Sequence, residues 1–67
     1  MTNAELNKWA SAIANRIADE WSGAQDFPDD ARKLRSFLEK SLRHDRDAVK
    51  LFIGTGIIES DYFEAHL

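Results

Sequence analysis

The stretch whose reading decides the fold is 29-DDARKLRSFLEKSLRHDRDAVKLFI-53. Ala31, Leu34, Phe37, Leu38 and Leu42 recur at the three- and four-residue spacing of one helical face, and charged residues occupy the other side. The apolar spacing skips a turn across Arg43 to Asp47. A continuous helix would carry Asp45 on its buried side between Leu42 and Val49. The favoured reading is a break here, with Asp45 capping a short third helix through Ala48, Val49, Leu51, Phe52 and Ile53. The alternative is one long helix.

The choice matters because of a second stripe. At about 100° per residue, Arg32, Arg35, Arg43, Arg46 and Lys50 fall within roughly 60° of one direction, with Lys40 just outside and Glu39 the one acid inside. If the segment is continuous or only slightly bent, five cations line a ridge of ~27 Å at 1.5 Å per residue, suited to phosphates or to an acidic protein. The bland reading is the solvated face of any amphipathic helix. Helical-neighbour pairs Asp29 with Lys33, Glu39 with Arg43 and Asp47 with Lys50 would then partly neutralise the ridge.

Working outward toward the N-terminus, Leu6, Trp9, Ala10, Ile13, Ile17 and Trp21 repeat with helical spacing. Thr2 with Glu5 fits a capping box, and Ala10, Ala12, Ala14 and Ala18 add helix propensity and permit close approach of a neighbour. A first helix over about residues 3 to 22 is expected, ended by Gly23 as a left-handed cap. In the connection GAQDFPDD, Pro28 suits a first helical turn, where its missing N–H is not needed. Asp29 and Asp30 favour the positive end of the helix dipole, and Phe27 is placed to staple the turn onto the core. The trio Asp26, Asp29 and Asp30 reads as capping rather than as a cation site.

Toward the C-terminus, Gly54, Thr55 and Gly56 end the helical pattern. Ile57 and Ile58 follow, then a last helix over roughly 60–66, docked by Tyr62 and Phe63. No internal repeat and no alternating run long enough for a strand is present. The fold class expected is all-α, a small bundle of three to four short helices forming a single helical domain over 1–67. Its core is assigned to Leu6, Trp9, Ile13, Ile17, Leu34, Leu38, Leu42, Val49, Phe52 and Phe63.

Composition limits function more than it reveals it. A chain of 67 residues is near the lower limit for one unaided core, with an expected stability of roughly 3–5 kcal/mol. The absence of cysteine removes disulfides and thiolate metal sites and fits a reducing cytoplasm. LFIGTGII is far shorter than the ~20 residues of a membrane span, and the N-terminus lacks a basic leader followed by an apolar run, so a cytoplasmic protein without membrane contact is expected. The net charge of -3 weighs mildly against generic nucleic-acid binding. It is unevenly spread: seven of the nine basic residues lie between 29 and 50, between acidic flanks.

No catalytic constellation stands out. The serines are explained by helix surfaces and caps, and His44 and His66 have no pocket that so short a chain readily encloses. His44, Asp45 and Asp47 make a poor transition-metal set, and Gly54-Thr55-Gly56 lacks the spacing and the Lys of a phosphate loop. No enzyme activity, cofactor or metal is expected. Trp9 and Trp21 read first as core and second as aromatic anchors for a protein partner, since tryptophan concentrates at binding hot spots.

Two short stretches resemble known small domains. FPDDARKLRSFLEK is similar to the helical YozE-type domains at Phe27, Pro28, Phe37, Leu38 and Glu39, and the tail GIIESDYFEAHL is similar to short C-terminal SHOCT segments. Each covers a few helix-start residues, the two point to different families, and neither carries a function. The functional expectation is a non-catalytic interaction or regulatory domain that binds a protein partner or self-associates. Its candidate contacts are Arg32, Arg35, Arg43, Arg46, Lys50, Trp9 and Trp21. The alternative is a nucleic-acid binder using the basic face of residues 32–50.

Overall fold

The computed structural model describes residues 1–55. Within them lie three helices and no strand: α1 over Asn3–Glu20, α2 over Pro28–Arg43 and α3 over Arg46–Gly54. The expected all-helical class is what forms. The expected last helix, with Tyr62 and the core assignment of Phe63, lies outside the described residues.

α1 starts as its sequence requires. Thr2 is extended, and its hydroxyl oxygen accepts the Glu5 backbone N–H at 3.1 Å while its O–H donates to the Glu5 carboxylate at 3.2 Å. One orphan N–H of the first turn is thereby satisfied, and the second bond joins the two side chains. The end differs from expectation. The last helical residue is Glu20, Trp21 turns extended at ψ 131°, and Gly23 is not left-handed. Gly23 is instead the floor beneath the Trp21 indole: a Cβ there would lie 2.6 Å from the ring. Bulk rather than backbone conformation makes glycine fit this position.

α2 opens with Pro28 in its first turn, as expected, but Phe27 at the cap position contributes no side-chain hydrogen bond. Asp29 and Asp30 occupy the positive end of the dipole. The break across the RHDRD stretch is present. α2 stops at Arg43, His44 closes it, and the Asp45 carboxylate accepts the Ala48 N–H at 3.0 Å to start α3. A buried aspartate between Leu42 and Val49 is avoided by turning the chain so that Asp45 stays exposed.

The core gathers where the three helices meet. Leu6, Ala10 and Ile13 of α1 pack with Leu42 of α2 and Val49 of α3. The contact of the first half of α1 with the last turn of α2 makes these two helices antiparallel. Trp9, Ala12, Ile17, Ala48, Phe52 and Ile53 pack around this cluster, partly buried. Farther along α1, Ala14 and Ala18 are also buried, so the alanines that the sequence marks as permitting close approach form much of the inner face of α1. Leu34 and Leu38 are half-buried.

Two assignments are corrected. Phe37, placed by spacing on the inward face of α2, is 67% exposed. Phe27, expected to staple the turn to the core, is 57% exposed and lies instead against the ring of Trp21. The apolar spacing on α2 is wider than the strip its neighbours cover, and Phe37 falls about 100° around the helix from Leu38.

Candidate functional site

The cations expected to form a ridge are divided by the break. Arg32, Arg35 and Arg43 belong to α2, and Arg46 and Lys50 to α3. Three of the five guanidinium or ammonium groups have partners. Arg32 pairs with Asp29 at 2.7 Å and Arg43 with Glu39 at 2.6 Å. Arg46 donates to the Met1 backbone carbonyl and to the Asn3 side-chain oxygen, the latter at 3.2 Å. Arg46 therefore ties the start of α3 to the chain entering α1. The Glu39–Arg43 pair is the one expected from spacing, whereas Asp29 reaches Arg32 at three residues rather than Lys33 at four. Exposed pairs of this kind contribute about 0–1 kcal/mol each, but they lower the charge offered to a partner.

The two tryptophans separate. Trp9 is half-buried against the core, and Trp21 is 36% exposed at the corner between α1 and α2. Trp21 and Phe27 lie with ring centroids 6.3 Å apart and planes inclined at 32°, within the range in which aromatic pairs attract. The corner that carries them is held by backbone bonds: Ala24 N–H donates to Trp21 C=O at 3.0 Å and Phe27 N–H to Gly23 C=O at 2.7 Å. Residues 19 to 30 bring Asp19, Glu20, Asp26, Asp29 and Asp30 to this corner and no Lys or Arg. Glu20 is engaged by Arg16 at 2.7 Å and Asp29 by Arg32. The result is an exposed aromatic pair in an acidic setting, on a short and internally bonded turn.

A second apolar feature lies on α3. Ala48, Leu51, Phe52 and Thr55 line an open groove of about 310 Å³, and Leu51 is 67% exposed. Thr55 adds no donor to it, since its O–H is turned to the Leu51 carbonyl at 2.8 Å. Among the described residues no group of three or more His, Asp or Glu side chains is arranged to hold a metal. No helix among them is long and apolar enough to cross a membrane.

Of the five cations singled out from sequence, Arg32 reaches the edge of the Trp21 corner through its pair with Asp29, while Arg43 and Arg46 make their contacts with Glu39 and with Met1 and Asn3. Phe27 and Phe37 were missed as surface residues. Phe27 carried a usable signal, since an aromatic residue before Pro-Asp-Asp, four residues after a glycine, has little core within reach. No family model, curated protein or solved structure matches the chain, so its function rests on the geometry described above.

Proposed function

We propose that this is a non-catalytic protein-interaction domain that grips its partner at the Trp21–Phe27 corner. The observation that carries the reading is the exposed aromatic pair on a braced turn. A few residues supply most of the energy at protein contacts, and tryptophan is prominent among them, because a rigid aromatic ring buries much area at little entropic cost. The partner surface that fits is apolar at its centre and basic at its rim, since Asp19, Asp26 and Asp30 around the corner have no ion-pair partner among the described residues. The reading places the domain in the cytoplasm, in keeping with its lack of cysteine.

A tagged pull-down from the native host, with and without nuclease, tests this. A nuclease-resistant partner retained by the natural protein and lost from the Trp21→Ala/Phe27→Ala double variant is the expected outcome, with circular dichroism checking that the variant stays helical. Absence of any specific partner, or its undiminished capture by the double variant, would overturn the reading. The nucleic-acid alternative has less support, because the ridge is split between two helices and three of its five cations are engaged. It predicts a mobility shift of duplex or single-stranded DNA that weakens steeply with salt.

A further inference from the structure

The exposed position of Phe37 uncovers a pattern on α2 distinct from both the core stripe and the basic ridge. Asp30, Lys33, Phe37 and Lys40 follow one another along α2 at spacings of three, four and three residues, and His44, which closes the helix, comes four residues later. That is the repeat that runs straight along one flank of a helix and forms the seam of a helix pair. All five are exposed, and Asp30, Lys33 and Lys40 have no ion-pair partner among the described residues. The flank is thus an apolar ring between two lysines, with an acid at the N-terminal end.

We infer that this flank is a self-association surface, covered by the same flank of a second copy running antiparallel. The spacing from Asp30 to Lys40 reads three, four, three in either direction, so two copies align about a twofold axis near residue 35. In that register Asp30 faces Lys40 of the second copy, and Lys33 faces its Phe37. Symmetry repeats both contacts. Each is favourable: an opposite-charge pair, and a cation over an aromatic ring. A parallel pairing sets Asp30 on Asp30, Lys33 on Lys33 and Lys40 on Lys40, all repulsive. The charge order along one helix therefore selects both the partner and its direction, and the opposed helix dipoles agree with it. This surface shares Asp30 with the acidic rim of the Trp21–Phe27 corner but uses neither aromatic ring of it, and it does not depend on that reading.

The seam is short, about 15 Å from Asp30 to Lys40 at 1.5 Å per residue, too short to bury the roughly 1,200 Å² at which specific stable complexes begin. The dimer is accordingly weak and salt-sensitive. Sedimentation equilibrium of the whole chain at low salt, over roughly 10 μM to 1 mM, is expected to show a mass rising from 7.7 kDa toward twice that value. Asp30→Lys alone and Lys40→Asp alone are each expected to remain monomeric. An equimolar mixture of the two regains the dimer, because every 30–40 contact between unlike copies is then an opposite-charge pair. Phe37→Ala, which leaves the helix ends untouched, is expected to lower association at least tenfold.

A mass that stays at 7.7 kDa throughout overturns the inference. So does a dimer indifferent to the charge reversals, or one that the mixture does not restore. A monomer whose pull-down partner is lost on Phe37→Ala assigns the flank to a different protein and overturns it as well. The Trp21→Ala/Phe27→Ala variant should dimerise normally, so failure at the corner and failure at this flank are read separately.

Discussion

α1 and α2 pack against each other, yet they spend their apolar residues in opposite ways. α1 buries Leu6, Ala10, Ile13, Ala14 and Ala18, and its large side chains are few and well covered. α2 buries only Leu42, holds Leu34 and Leu38 half-covered, and leaves Phe37 in solvent. The lesson is that a face built from alanine covers little of its neighbour: it draws the second helix close but offers no long side chains to wrap around it. Apolar residues toward the edge of the α2 stripe are left over for other uses.

That contrast can be broken at three points. The largest effect is expected from Ala14→Leu, which forces bulk into the fully buried α1 face and should cost about 1–3 kcal/mol in a urea melt. A loss too small to measure would mean that α1 and α2 have slack between them, and the close-approach account would fail. Next, Asp45→Ala removes the cap that starts α3 and should cost about 1 kcal/mol. It separates the polar junction, where one carboxylate fixes the chain, from the aromatic corner, where α2 begins without a side-chain cap. An unchanged melt would show that packing of Val49 alone sets the position of α3. The smallest effect belongs to Phe37→Ala, which at dilute protein should change stability by less than about 0.5 kcal/mol, the usual range for surface substitutions. A loss comparable to that of a core residue would return Phe37 to the interior.

Much of the fold was legible because it depends on local chemistry. Thr2, Pro28 and Asp45 act within one turn of themselves, and the skipped apolar position between Leu42 and Val49 leaves a helix no good option but to stop. The core positions Leu6, Ile13, Leu42 and Val49 follow from spacing for the same reason. Phe37, Phe27 and the end of α1 were not legible, because each depends on distance to a neighbour. Spacing gives the direction of a face but not how wide a strip the opposing helix covers. Gly23 suggested a left-handed cap when its actual service is to make room for an indole, a contact that no local rule contains. The candidate surface was harder still. The basic ridge required a segment continuous or only slightly bent, and its cations are divided between α2 and α3 by the same break that the apolar spacing required.

The separation of the two tryptophans has a practical consequence. Trp9 sits against the core and Trp21 stands at the corner beside Phe27, so the chain carries two optical probes in unlike surroundings. Water-soluble quenchers reach the second more readily than the first. A single emission spectrum thus holds one signal that follows unfolding and another that follows occupation of the corner, and replacing either indole by phenylalanine isolates the other.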